Sequence, residues 1–201
     1  MGSHKKGTAA KDITGKKIDR LEIRVSGAGG QGIISTGMIL GEAIAIGDEK
    51  NVAQSQSYGP EARGGATRAD IIVSDGEIFF PECHQLDILL AFTPEAYEKY
   101  SEQTKSDGLV IADTSAASIS IGLAKTIKVP FLAIARDKFK RPIVANLIAL
   151  GFMAAYTNIV SHKSLKDTVE DAFSASAHLD TNLKALDDGY KLGKSYLKEE
   201  Q

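Results

Sequence analysis

Val25-Ser26-Gly27-Ala28-Gly29-Gly30-Gln31-Gly32-Ile33-Ile34-Ser35 is the stretch from which the fold is read. An extended apolar run, Leu21 to Val25, leads into it, and a helical pattern leaves it. Gly27, Gly29 and Gly32 reproduce the spacing G-x-G-x-x-G, with a further glycine at Gly30. So tight a passage from strand to helix needs residues without a Cβ. It leaves backbone N–H groups at a helix N-terminus, where an anion can be held. Between a strand and a helix, this is the setting a dinucleotide loop requires, which makes Gly27, Gly29, Gly30, Gln31 and Gly32 candidate cofactor-binding residues. The competing reading is that the glycines only let helix and sheet pack closely.

One feature argues against a nicotinamide cofactor. Dinucleotide folds place Asp or Glu at the end of the second strand to hold a ribose hydroxyl. Here the second strand is predicted over Lys50–Gln56 and ends in Gln and Ser, while Asp48 and Glu49 precede it.

The 201 residues, 43% hydrophobic, suit one compact domain with a substantial core. A net charge of −2 gives no electrostatic reason to expect nucleic acid or an anionic membrane. No apolar run has the length of a membrane span and no signal-peptide pattern is present. The single cysteine, Cys83, excludes an intrachain disulfide framework and fits a reducing cytoplasm. It also excludes an iron–sulfur cluster held by four cysteines of this chain. Residues 1–17 are basic, polar and aperiodic, and are read as a disordered or tag-derived tail. Residues 18–201 then form a single domain.

Beyond the glycine loop, Ile33, Ile34, Met38, Ile39, Leu40, Ala43 and Ile44 predict a helix apolar on most sides, ended by Gly47. Such a helix lies against the sheet and has surface left over for a partner. After the second strand comes Ser57-Tyr58-Gly59-Pro60-Glu61-Ala62-Arg63-Gly64-Gly65. It follows a strand's carboxyl end, the edge at which open α/β sheets bind ligands. Ala66–Ser74 and Glu77–Phe80 read as a hairpin around Asp75-Gly76, so the sheet is expected to be mixed. Leu86–Phe92 is a buried strand, Thr93 an N-cap and Pro94 the first residue of a helix to Glu102. Further strands are predicted at Gly108–Asp113 and Val129–Ile134. Helices follow at Pro142–Tyr156, after a Ser164 cap with Asp167 three residues on, and at Thr181–Leu197. Strands alternating with helices give an α/β fold, three layers with a mixed, mostly parallel sheet and a Rossmann-like glycine loop.

No catalytic constellation and no metal site stands out. The four histidines at 4, 84, 162 and 178 are scattered, and Cys83-His84 reads as an ordinary structural or surface pair. Ser35 and Ser57 lack the G-x-S-x-G setting of a hydrolase nucleophile. The loop lacks the Gly-Lys-Ser/Thr ending of nucleotide hydrolases. Glu61 and Arg63 project from the loop at the ligand edge. Arg63 suits bidentate recognition of a phosphate or carboxylate, and the plainer alternative is a surface pair in a turn. Asn146, in an otherwise apolar helix face, is either a site residue or a core amide bonded to backbone.

Gly27-Ala28-Gly29-Gly30-Gln31-Gly32, Gln54-Ser55-Gln56-Ser57-Tyr58-Gly59-Pro60-Glu61-Ala62-Arg63-Gly64-Gly65, Ile72-Val73-Ser74-Asp75, Asn146-Leu147-Ile148-Ala149-Leu150-Gly151 and the late Asn182–Tyr190 run together resemble the gamma subunit of 2-oxoacid:ferredoxin oxidoreductases. The Gln-Ser-Tyr-Gly-Pro-Glu form is most similar to the 2-oxoglutarate branch. The resemblance implies a multi-subunit enzyme that decarboxylates a 2-oxoacid oxidatively with thiamine diphosphate and Mg²⁺. Such an enzyme transfers the acyl group to coenzyme A and passes electrons through iron–sulfur clusters to ferredoxin. The residues explain why this chain is a companion subunit, inactive alone. It has no Gly-Asp-Gly…Asn motif for a Mg²⁺–diphosphate cofactor and too few cysteines for the clusters. By this reading, Ser57, Tyr58, Gly59, Glu61, Arg63, Gly64, Gly65 and Asn146 meet ligand or partner subunit. The glycine loop touches a cofactor, coenzyme A or only a neighbouring subunit. Isolated, the chain is expected to form a homodimer. A free-standing nucleotide- or phosphate-binding protein of the same fold is the rival reading.

Overall fold

A computed structural model describes residues 18–57, 66–117 and 121–200. Its framework is a six-stranded sheet: β1 (Leu21–Gly27), β2 (Asn51–Ser57), β3 (Thr67–Ser74), β4 (Leu86–Ala91), β5 (Thr104–Asp113) and β6 (Lys125–Val129). The strand order is β2-β3-β1-β4-β5-β6. β1, β4, β5 and β6 run parallel, while β3 is antiparallel to both β1 and β2. The sheet is therefore mixed and mostly parallel, as expected. The helices are α1 (Ile33–Glu42), α2 (Pro94–Tyr100), α3 (Phe131–Phe139), α4 (Ala145–Thr157), α5 (His162–Ala172) and α6 (Leu179–Glu199).

The two faces of the sheet bury different residues of the same strands. In β4, Ile88 and Leu90 join the core under α1 and α3–α6, whereas Leu89 and Ala91 join a smaller cluster under α2. In β5, Leu109 and Ile111 face the first side and Val110 and Ala112 the second. Burial on both faces is why these strands read as continuous apolar runs with no alternation.

The charged positions of β1 find partners on one face. Arg24 is 2% exposed, and its Nε and Nη2 donate to Asp70 of β3 at 2.6 and 2.7 Å. Its Nη1 donates to Gln103 at 2.7 Å, and the guanidinium lies 4.6 Å from the centre of the Tyr100 ring. Burial by itself pulls the guanidinium pKa down, but Asp70 outweighs it and the net shift is upward.

Three expectations are corrected. The hairpin across Asp75-Gly76 does not form, because β3 already pairs with β1 on one side and β2 on the other. No edge is left for Glu77–Phe80, and Phe79 and Phe80 stand exposed. Asp75 instead accepts from Ile18 N and from Lys50, tying the chain's entry to the end of β3. The strand predicted at Val129–Ile134 ends where it was to begin. Pro130 lacks an N–H for the ladder, and Phe131 opens α3, whose Leu132 N donates to Asp113 at 2.9 Å. The cap of α5 is Ser161, three residues before the expected Ser164, with Ser164 N donating to Ser161 Oγ at 3.0 Å. Ser164 Oγ is committed elsewhere, to Asp48 at 2.7 Å. In the sheet, β3 lies between β1 and β2.

The other element predictions hold with small shifts. Thr93 accepts from Ala96 N at 3.3 Å as the N-cap of α2. α1 passes into a π-helical turn, Ala43–Gly47, and a 3₁₀ turn, Pro142–Val144, leads into α4.

Candidate functional site

The connections from β1 and β4 diverge. α1 leaves β1 over one face, and α2 leaves the adjacent β4 over the other. Between two parallel strands whose helices part in this way a crevice opens at the carboxyl ends. The glycine loop fills its rim, beside the end of β4, where Phe92 N donates to Ser26 O at 2.9 Å.

The glycines divide by what surrounds them. A Cβ at Gly27 would stand 2.4 Å from Gln31 Oε1 and 3.0 Å from Phe92 Cβ, so Gly27 is a packing glycine. Gly32, the N-cap of α1, has φ +73°, and a Cβ there would meet Asn146 Nδ2 at 2.5 Å. At Gly29 and Gly30, by contrast, an added Cβ would meet nothing within 4 Å among the described residues. Close helix–sheet packing therefore accounts for Gly27 and not for Gly29 or Gly30, which present bare backbone at the rim. Gln31 folds back over the loop, its Oε1 accepting from Ala28 N at 2.8 Å.

The first helical bond of α1 is Thr36 N to Gly32 O at 2.8 Å. The N–H groups of Ile33, Ile34 and Ser35 have no helical carbonyl to donate to. Among the described residues no side chain caps this end, and no acidic residue lies in the first turn. No described residue thus compensates the partial positive charge of the helix end. Asn146 completes the wall. It is 6% exposed, and its Oδ1 accepts from Leu147 N at 2.7 Å. Its Nδ2 points at Gly32. Asn146 is thus buried and bonded to backbone, and it abuts the glycine loop. Ile143 Cδ1 lies 3.4 Å from the same Gly32 position.

Ser57 ends β2 in register with Arg68, which pairs with Ser26, and Thr67 pairs with Gly27. Both described ends of the connection from β2 to β3 thus lie at the carboxyl edge beside the glycine loop. Tyr58, Gly59, Glu61, Arg63, Gly64 and Gly65 lie outside the described residues.

The chemistry legible here is binding. Among the described residues no three His, Cys, Asp or Glu side chains converge as a metal site. Burial first, then the charges of Asp70 and Glu22, push the Cys83 thiol up to about 12, so it is not a thiolate at neutral pH. A residue not singled out from sequence is Arg141, whose Nη1 is shut off from solvent with no hydrogen-bond partner among the described residues. Its only sequence signal is an Arg placed directly before Pro142, five residues ahead of Asn146.

Comparison with known proteins gives one consistent result. Residues 22–192 match the family model described as pyruvate ferredoxin/flavodoxin oxidoreductase. The chain is 42% identical over 178 residues to the 2-oxoglutarate synthase subunit KorC of Methanocaldococcus jannaschii, covering 87% of this chain and 95% of that protein. It is similar in structure to the gamma subunit of a keto/oxoacid ferredoxin oxidoreductase from Geobacter sulfurreducens PCA. That likeness has a TM-score of 0.77 and 40% identity, over 87% of this chain and 99% of that one. It is also similar to 2-oxoglutarate:ferredoxin oxidoreductase from Magnetococcus marinus, solved with 2-oxoglutarate, coenzyme A and succinyl-CoA bound. There the TM-score is 0.78 at 27% identity, and the likeness covers 88% of this chain but 31% of the longer one.

Proposed function

This chain belongs to the pyruvate ferredoxin/flavodoxin oxidoreductase family, and from that premise we propose what its site does within the enzyme. It is the gamma-type subunit of a multi-subunit 2-oxoacid:ferredoxin oxidoreductase, with the 2-oxoglutarate branch favoured. It is part of an oxidoreductase and contributes binding, not electron-transfer groups. Its part is to hold an anionic portion of coenzyme A at the crevice between β1 and β4, so that the thiol reaches an active centre completed by the other subunits. The observation that carries this reading is the uncapped N-terminus of α1 beneath Gly29, a glycine that neither a packing contact among the described residues nor a positive φ requires, beside Gly30, whose φ of +82° the turn itself requires. The Magnetococcus marinus enzyme, solved with coenzyme A bound, supports the ligand class.

The residues fit such a group. Ile33, Ile34 and Ser35 offer N–H donors, and Gly29 and Gly30 let the ligand approach main chain directly. Asn146 fixes the loop from behind, through Gly32. Ser57, Tyr58, Gly59, Glu61, Arg63, Gly64 and Gly65 are proposed, from their residue types, to meet ligand or partner subunit, with Arg63 the charged donor suited to phosphate or carboxylate. Bound here, coenzyme A supplies the thiol that takes the acyl group. Thiamine diphosphate, Mg²⁺ and the iron–sulfur clusters belong to the partner subunits, since one cysteine cannot supply the thiolates a cluster needs. Ferredoxin is met through the complex, in the cytoplasm. Away from its partners the chain forms a homodimer through the outer face of α1 and the edge strand β2. Met38 on α1 and Ile46 on the π-helical turn that follows it are 53% and 73% exposed, and β2 carries no charged residue to blunt its edge.

The test is reconstitution with the partner subunits and equilibrium dialysis against coenzyme A. Complex lacking this chain is expected to lose coenzyme A binding while keeping its clusters. Unchanged coenzyme A affinity without the chain would refute the assignment.

A further inference from the structure

The edge of the sheet opposite the glycine loop carries an aromatic pair that no core absorbs. β3 is antiparallel to β1, so its end lies level with the start of β1. From there the chain runs toward β4 through Glu77-Ile78-Phe79-Phe80-Pro81-Glu82, with Phe79 77% and Phe80 72% exposed. This connection is tied down from within. Arg20, just ahead of β1, donates from Nη1 to Phe80 O at 2.9 Å and from Nη2 to Glu82 O at 2.7 Å. Glu22 accepts from Arg20 Nε at 2.6 Å, and from His84 N and Gln85 N at 2.6 and 2.9 Å. Two charged side chains at the start of β1 thus fix four backbone groups of the loop, while both rings face solvent. A loop ordered in advance binds without the cost of ordering it, and rigid exposed aromatics are the side chains on which interface energy concentrates.

Both limits of the described domain come to this same edge. Ile18, ahead of β1, exchanges hydrogen bonds with Asp75, just past the end of β3. At the other limit, α6 descends toward the start of β6: Tyr196 OH donates to Lys128 O at 3.4 Å, and Glu200 Oε2 accepts from Nζ of Lys125, the first residue of β6, at 2.7 Å. The Magnetococcus marinus chain shares 88% of this domain, yet the likeness covers only 31% of that longer polypeptide. Whichever end of the shared domain carries the remainder, the remainder joins it at this edge.

We propose that this edge, with Phe79 and Phe80 as its anchors, is the docking surface for the subunit that corresponds to the remainder of the longer chain. Separate subunits then keep a contact that one continuous polypeptide makes there. Leu123, 86% exposed and two residues before β6, extends the apolar surface along the edge. The lysines around it are engaged within the chain, Lys50 with Asp75, Lys105 with Asp87 and Lys125 with Glu200. Glu77 and Glu82 bracket the aromatic pair, and their carboxylates have no ion-pair partner among the described residues. The surface that fits is therefore an apolar pocket with lysine or arginine at its rim. Docked this way, the chain keeps its glycine loop, at the far edge, uncovered. The proposal holds whatever ligand that loop takes.

The experiment uses the full chain together with its partner subunits. A photo-crosslinking amino acid in place of Phe79 is expected to join the subunit whose sequence matches the remainder of the longer chain, identified by mass spectrometry. Crosslinks to a second copy of this chain, or to a different subunit alone, would overturn the proposal. Phe79→Ser combined with Phe80→Ser is expected to weaken the affinity of this chain for the rest of the complex roughly 100-fold or more, the scale of losing two aromatic anchors. Analytical ultracentrifugation of the mixed subunits reads it. Because both rings are exposed, the melting temperature of the free double variant should match that of wild type. A lowered melting temperature would make the pair structural and overturn the proposal, as would unchanged affinity. If affinity falls with Met38→Ser and Ile46→Ser but not with the phenylalanine pair, the docking face is the α1 side and the proposal fails.

Discussion

Substituting the loop glycines one at a time separates packing from binding. Gly32→Ala puts a Cβ on a residue at φ +73°, which costs roughly 1–2 kcal/mol for an L side chain in the left-handed region. The same Cβ would stand 2.5 Å from Asn146 Nδ2, in a side chain that is 6% exposed and has little room to move. Overpacking of that kind costs about 1–3 kcal/mol. The stiffer unfolded chain returns about 0.4–1 kcal/mol, leaving a net loss of about 1–4.5 kcal/mol in urea unfolding followed by circular dichroism. Adding Asn146→Ala removes the clash and leaves the backbone strain, so the pair should couple favourably by about 1–2 kcal/mol. Gly29→Ala, with nothing described within 4 Å of the new methyl and no positive φ, should change stability by less than about 0.5 kcal/mol. Gly29→Ala is nonetheless expected to weaken coenzyme A binding by the complex, because the methyl occupies the open approach to the main chain. Equal stability losses at Gly32 and Gly29, or no coupling between Gly32 and Asn146, would refute this account of the loop.

Removing one partner of the buried pair, by Arg24→Met or Asp70→Asn, should cost about 3–5 kcal/mol, while replacing both with apolar groups costs far less; a double-mutant cycle in urea measures it. Burial raises the Glu22 carboxyl, but Arg20 and the N–H groups of His84 and Gln85 outweigh it and hold it below the usual range. Its contribution is therefore present above the unfolded value, about 4.3, and lost as pH falls through the lower folded value. Glu22→Gln should flatten the fall in stability below pH ~4, read from urea midpoints. Gly189→Ala would place a Cβ 1.9 Å from Ile148 O, where α4 and α6 touch backbone to backbone, and should leave little folded protein by circular dichroism. Arg63→Lys is expected to leave folding unchanged and raise the Michaelis constant for coenzyme A or the 2-oxoacid in the complex by roughly 10-fold or more, for a lost charged hydrogen bond of about 1.5–3 kcal/mol.

Local chemistry settled a good deal of this protein. Glycine spacing fixed the strand–loop–helix unit, Thr93-Pro94 started α2, and uninterrupted apolar runs marked β4 and β5 as strands buried on both faces. One cysteine is too few for an iron–sulfur cluster held by four cysteines of this chain. These signals lie within a few residues of one another, so a one-dimensional reading captures them.

What sequence alone left undecided was pairing over long separations. Asp75-Gly76 carries a hairpin signature, yet β3 spends both edges on β1 and β2, and a strand has only two edges. Pro130 halts a run whose apolar residues suit a strand or a helix equally, and the Asp113 carboxylate, seventeen residues earlier, tips it to helix through Leu132 N. Asn146 and Gly32 are 114 positions apart, and nothing local ties an amide in one helix to a glycine before another. That Arg141 Nη1 is buried without a hydrogen-bond partner among the described residues is likewise a tertiary fact, since it depends on where the neighbours lie. Composition and spacing thus pointed to a candidate binding loop and to the residues that flank it in sequence. Which side chains converge on it was decided by sheet order and helix packing, since those alone bring distant residues within hydrogen-bonding range.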